Sequence, residues 1–263
     1  MSRLLLITAI IIYLSRLLSP WLPRGRRIAG NPLFAWAGLA LHGIGLLVVI
    51  VLEGPQSTPH LVLVGLALLL MLSNQLVSRQ PRMEALESVL LPMTVALLVL
   101  GLLAPGHSEG LTPHTWWLPI HIGFMVLGFG GLAVSFSLSV LYLWVRARLK
   151  RKRLVGISRL PSLAVLDDLN QKSMGLGFIA LTSGIACGAL WAFGAEEGAL
   201  RFDLTTWSTL AVWLWYAIGL QMRLISGYRG RLAALFGVLG FGGISLIMTI
   251  ATLVFHSFHG SAV

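Results

Sequence analysis

The sequence predicts an all-α fold: a polytopic integral membrane bundle of about eight transmembrane helices, with both termini on the outer side. Three observations lead there. Apolar residues make up 57% of the 263 positions, charged residues only 11%, and the mean hydropathy is +0.87, unlike a soluble domain. The apolar residues fall in continuous runs long enough to cross a bilayer, which takes about 20 residues. They do not alternate with polar ones as barrel strands do. Basic residues crowd into alternate short loops, as topology determinants do.

Span one, 4–20, begins just after Met1-Ser2-Arg3. It resembles a signal peptide, but Arg24, Arg26 and Arg27 follow it in place of a small-residue cleavage site, so it reads as a retained helix. Spans two, three and four cover 33–52, 61–77 and 86–104. His42 lies in the middle of span two, Asn74 and Gln75 late in span three, and Pro92 inside span four, where a membrane helix tolerates a kink. Span five, 118–144, carries Gly123, Gly128, Gly130 and Gly131. Span six, 174–193, places Gly184 and Gly188 in GxxxG spacing. Span seven covers 206–224, and span eight, 232–255, holds Gly237, Gly240, Gly242 and Gly243. Such small residues let helix backbones approach closely in lipid. The loops are short, so successive helices pack antiparallel, and one membrane domain spans 1–263.

The charges orient this bundle. Arg16, Arg24, Arg26 and Arg27 lie at or after span one, and Arg79 and Arg82 follow span three. The run Arg146 to Arg153, with Arg159 and Lys172, follows span five; Arg223, Arg229 and Arg231 close span seven. Only Arg3 and Arg201, of 19 basic residues, fall on the other side. The positive-inside rule makes the basic side cytoplasmic. The net charge of +10 is therefore topological, and no nucleic-acid partner is expected. The Arg146–Arg153 run faces anionic membrane lipids. A lone Cys187 excludes an internal disulfide and a CxxC redox pair.

This topology sorts the histidines. His60, His107, His114, His121, His256 and His259 fall at or beyond the outer face, where all but His121 and His256 read as solvated loop residues. His42 lies about 14 Å from the cytoplasmic end of span two at 1.5 Å per residue. A polar group there is costly and often functional. It reads either as a neutral imidazole bonded to a neighbouring helix, with Asn74, Gln75 or Gln221 as partners, or as a ligand or relay residue on a haem or proton path. His121 and His256 each end a long apolar segment. Two facing neutral imidazoles suit the axial positions of haem iron, with 193–206 as a lid; the alternative is two interfacial histidines. Trp116, Trp117, Trp191 and Trp207 lie near the outer interface and Trp144 near the inner one, as in any aromatic belt.

From Trp116 onward the chain resembles the cytochrome c assembly family of haem-handling membrane proteins, the CcsA, ResC and HemX-like group. The resemblance rests on Trp117-Leu118-Pro119-Ile120-His121-Ile122-Gly123-Phe124-Met125 and on Leu166-Asp167 leading into Gly177-Phe178. It continues through Thr182, Gly184 and Gly188-Ala189-Leu190-Trp191-Ala192, then Arg223, Gly227-Tyr228-Arg229-Gly230-Arg231 and Phe255-His256-Ser257-Phe258. It divides the chain into four weakly matched helices, 1–105, and a family-like core, 116–260.

The resemblance implies haem held non-covalently at the outer face, with His121 and His256 as metal ligands. It departs from the family pattern in two places. Three family tryptophans fall on Glu196, Leu200 and Phe202, while Asp203 is kept, and a third family histidine falls on Gln221, a poor iron ligand. The cofactor-binding set is then His121, His256, Trp191, Phe202 and Asp203, with His42 apart; Phe202 and Trp191 offer ring faces to a porphyrin.

The expected protein is a divergent, HemX-like haem-handling protein of the bacterial inner membrane, with no catalytic residue of its own. Its partners would be haem, lipids and other cytochrome c assembly or haem-biosynthesis membrane proteins. Two alternatives stand beside it. One is a permease-like subunit moving a small solute, suggested by His42, Pro92 and the altered signature. The other is an accessory scaffold or regulator of haem biosynthesis without tight haem binding.

Overall fold

The computed structural model describes residues 2–19, 31–52, 58–104, 117–152, 159–194 and 204–243. These form α1 (Ser2–Leu18), α2 (Pro32–Leu52), α3 (Thr58–Val77), α4 (Glu84–Leu103), α5 (Trp117–Lys150), α6 (Leu163–Gly194), α7 (Leu204–Ser226) and α8 (Arg231–Gly237). A π-helical segment, Val238–Gly243, continues α8. Five of the helices are long and apolar enough to cross a membrane by themselves, within α2 to α6. The chain is a multi-pass, all-helical membrane protein. Among the described residues, eight helices overlap the eight expected spans; 244–255 of span eight lies outside the described residues.

Local chemistry sets several boundaries. Asn31 caps α2, its Oδ1 accepting from Leu33 N at 3.0 Å, and Pro32 sits at the first helical position where its missing N–H is no loss. Ser162 does the same for α6, accepting from Val165 N at 3.3 Å. Between α7 and α8 the chain turns through Gly230 at φ 71°, a left-handed conformation that a side chain resists.

Two helices run more than one turn past their apolar spans. α5 extends six residues beyond 144, into the basic run as far as Lys150, and α6 begins eleven residues before 174, taking in Asp167, Asp168 and Lys172. Hydropathy marks only the lipid-facing part of a helix, whereas charged residues extend helices well into water.

The ends of the helices sort as the charges require. Arg16 of α1 pairs with Glu87 of α4 at 2.7 Å, and the Arg79 guanidinium lies 5.6 Å from the Trp36 ring. These contacts join the C-terminal ends of α1 and α3 to the N-terminal ends of α4 and α2. At the opposite level His60 Nδ1 donates to the Gly101 carbonyl at 2.6 Å, linking the start of α3 to the end of α4. His60 is 7% exposed, so its expected place as a solvated loop residue is corrected. Arg148 covers Trp144 at 5.0 Å, at the basic end of α5.

The core runs through three linked groups. Leu6, Tyr13, Val64, Met71 and Leu98 join α1 to α4. Leu70, Leu86, Leu90, Leu138 and Leu166 tie α3 and α4 to α5 and α6. Leu132, Met174, Leu181 and Tyr216 join α5, α6 and α7. The closest approach is between α5 and α6. A Cβ on Gly131 would lie 2.7 Å from Gly177 Cα, and one on Gly128 would lie 2.8 Å from Leu181 N. Backbone meets backbone there, the role expected of these glycines.

His42 is fully buried in the first group. Its Nε2 lies 3.1 Å from the Val64 carbonyl, and its Nδ1 lies 3.3 Å from Tyr13 Oη. A carbonyl only accepts, so Nε2 carries the proton, Nδ1 accepts and the Tyr13 hydroxyl donates. The partners are Tyr13 and Val64, in place of the expected Asn74, Gln75 or Gln221. Asn74 Oδ1 and Nδ2 and Gln75 Nε2 are buried without partners among the described residues, about 15 Å further along α3 than Val64 at 1.5 Å per residue. Tyr13→Phe removes the donor to Nδ1 and is expected to cost about 1–3 kcal/mol. Thermal unfolding in detergent checks this, and an unchanged melting temperature would dismiss the bond as a stabilising one.

Candidate functional site

His121 lies in the second turn of α5, at the level where α6 ends. The helical period carries Gly184, Gly188 and Trp191 on one face of α6, at i, i+4 and i+7. That face receives the imidazole. His121 Nδ1 donates to the Gly184 carbonyl at 2.7 Å, and a Cβ on Gly188 would lie 2.7 Å from His121 Nδ1 and Cε1. The glycine spacing therefore does two things: it brings the helices together and it leaves a slot for the ring. Trp191, partly buried, ends the same stripe one turn nearer the C-terminal end of α6.

This arrangement fixes the tautomer. With Nδ1 protonated and held by a carbonyl, Nε2 of the neutral ring carries the lone pair. Nε2 has no hydrogen-bond partner among the described residues. Anchoring one ring nitrogen on a backbone carbonyl while the other stays open is the arrangement that orients metal-binding histidines and raises their basicity. The described half of the site thus fits an axial ligand for haem iron. His42 differs, since both of its nitrogens are already bonded, and binding iron would cost one of those bonds.

His256, Phe202 and Asp203 lie outside the described residues, as do His107, His114 and His259. Among the described residues no group of three or more His, Cys, Asp or Glu is placed to hold a metal ion. His60 lies at the same level as His121, because α3 packs on α5 with a Cβ on Gly65 3.7 Å from Val126, five residues in from each histidine.

A Gly188→Ala substitution drives a methyl into the imidazole. The expected cost is about 1–3 kcal/mol, typical of overpacking, and it shrinks in a His121→Ala background because the clash is removed. A double-mutant cycle on thermal unfolding measures this coupling; additive effects would mean that the ring does not occupy the slot.

At the basic end of the core the structure adds a pair the sequence did not reveal as one. Arg223 of α7 reaches Asp167 of α6 with Nη2–Oδ2 at 2.7 Å, and Nη1–Oδ1 at 3.3 Å. Asp167 Oδ1 also accepts from Gly230 N at 3.0 Å, so one carboxylate ties α6, α7 and the turn into α8. The signal available was an acid and a base, each beside an apolar span on the same side of the membrane. The carbonyl of Gly184 was likewise missed, because backbone acceptors are invisible to residue patterns.

The family model described as "Cytochrome C assembly protein" matches residues 55–259. That range takes in α3 and α4, which matched by sequence reading only as apolar helices. The cytochrome c biogenesis protein CcsA of Chlamydomonas reinhardtii is 34% identical over 126 residues, 48% of this chain and 35% of that protein. CcsA of Prochlorococcus marinus is 32% identical over 157 residues, 51% of this chain and 50% of that one. Protein HemX of Bacillus subtilis is 32% identical over 119 residues, 45% of this chain and 43% of that protein. The chain spans half or less of the length of each of these three relatives. No solved structure gives a significant match. A family match running from just before α3 to His259 covers well over half of the sequence, and the chain belongs to the cytochrome C assembly protein family.

Proposed function

We propose that this chain is a haem-handling protein of cytochrome c assembly type, in the inner membrane of a bacterium, that binds haem at the outer face. His121 and His256 serve as the axial ligands, and Trp191 and Phe202 offer ring faces to the porphyrin, with Asp203 beside them. The observation that carries the reading is the bond from His121 Nδ1 to the Gly184 carbonyl, which leaves Nε2 open at the end of a membrane helix. Haem bound there would supply its own iron and porphyrin chemistry. The residues of this chain hold and orient it, and no group here is assigned a catalytic step. The altered tryptophan positions favour a HemX-like role over a full synthetase, with membrane partners of haem synthesis or cytochrome c assembly giving or receiving the cargo.

The test is the absorption spectrum of the purified protein with and without added haem. A Soret band that disappears when His121 and His256 are both replaced by alanine is the expected result. No band, or a band indifferent to both substitutions, overturns the ligand assignment.

A further inference from the structure

A cavity of about 330 Å³ lies between α6 and α7 toward their basic ends, room for on the order of ten water molecules. Its walls follow from helix periodicity. Gln171 and Phe178 are two turns apart on α6, and Ala217, Leu220 and Gln221 share one face of α7. Phe178 stacks on Trp213 with ring centres 5.7 Å apart, and Trp213 Nε1 donates to Thr182 Oγ1 at 2.9 Å. These contacts join the two helices beyond the cavity's apolar end.

The polar end is formed by Gln171, Gln221 and Arg223. Arg223 is 8% exposed. Its terminal nitrogens are held by Asp167, yet its Nε is buried with no acceptor among the described residues. A buried cation with an incompletely satisfied guanidinium is costly, and a negative charge held in the cavity beside it offsets part of that cost. At its mouth Leu224, which also lines it, is 75% exposed, and Ile179 on the adjoining face of α6 is 65% exposed, apolar surface suited to acyl chains. Arg229, Arg231 and the Arg146–Lys152 run gather positive charge at the same end.

We propose that this cavity binds the glycerophosphate head of a membrane phospholipid of the inner leaflet. A phosphate or ester oxygen lies against the positive charge of Arg223 and accepts from the amides of Gln171 and Gln221, while an acyl chain runs along Phe178 and Leu220. Phosphate oxygens alone would also suit free phosphate; the apolar wall selects the lipid. Basic pockets between membrane helices on the cytoplasmic side take phospholipid heads in this manner. The proposal is independent of the haem site, since it uses none of its residues.

The test uses the full chain in detergent. Native mass spectrometry is expected to show one phospholipid retained per chain. After delipidation, mixed micelles containing phosphatidylglycerol should raise the melting temperature, while inorganic phosphate and glycerol 3-phosphate should not. Ala217→Phe fills the cavity without touching the Arg223–Asp167 pair, and should lower lipid retention at least tenfold. Gln171→Leu with Gln221→Leu should weaken retention and keep the fold. Retention unchanged in both variants would mean lipid held only on the general surface, and would overturn the proposal. So would stabilisation by inorganic phosphate alone, or recovery of haem from this cavity in place of lipid.

Discussion

Alanine at position 121 is expected to lower haem retention by at least about 100-fold under the proposed ligand role, because loss of a metal ligand should exceed the 10–100-fold effect of removing a partner that merely orients one. The substitution also opens a slot bounded by Gly184 and Gly188. Free imidazole is small enough to enter that slot and donate to the same carbonyl, so adding it should restore part of the Soret absorbance to the His121→Ala protein. Rescue by imidazole separates loss of the ligand from loss of the fold. Full haem retention in the alanine variant, without imidazole, would remove His121 from the site.

The second large effect concerns the opposite end of the bundle. Asp167→Ala leaves the Arg223 guanidinium, whose side chain is 6% exposed, buried without its counter-charge. Breaking a buried pair by removing one partner costs roughly 3–5 kcal/mol, and Gly230 N loses its acceptor as well. Because the Asp167 side chain keeps 17% exposure, the lower half of that range is expected. Replacing both residues together, Asp167→Leu with Arg223→Met, removes the stranded charge and should recover much of the loss. Thermal unfolding in detergent measures both. A double variant as damaged as Asp167→Ala alone would show that the carboxylate matters through the Gly230 turn, with little owed to Arg223.

The distribution of apolar residues was enough to place the helices. Each described helix overlaps its expected span, because a membrane helix must satisfy its backbone internally and must therefore be continuous and apolar. The ends were less legible. α5 and α6 run on through Arg146–Lys150 and Leu163–Ser173, where charge lowers hydropathy without stopping a helix. His121 was recognisable as a histidine at the end of an apolar span, but what orients it is a carbonyl on another helix, 63 positions away. Residue identity carries no record of such an acceptor. His60 was misplaced for a related reason. Its burial comes from the end of α4 packing beside the start of α3, a neighbour relation that spacing along one helix does not encode. His42 shows the converse: a costly residue in mid-membrane was flagged correctly, while its partner Tyr13 sat unremarked in span one.

The hydrogen bond from His121 to Gly184 belongs to two accounts at once, since it orients an imidazole and it crosses the α5–α6 seam. Moving α6 by one residue against α5, about 1.5 Å along its axis and about 100° around it, would put Ser183 or Ile185 where Gly184 stands, bringing a side chain against the ring. Affinity for whatever binds Nε2 and the register of two helices are therefore linked quantities. By reciprocity, a ligand that prefers the anchored tautomer must clamp the register as strongly as the register favours the ligand. Binding at the His121 end of the α5–α6 seam would then be legible as resistance to amide exchange or to crosslink slippage along the glycines, at positions the ligand never touches.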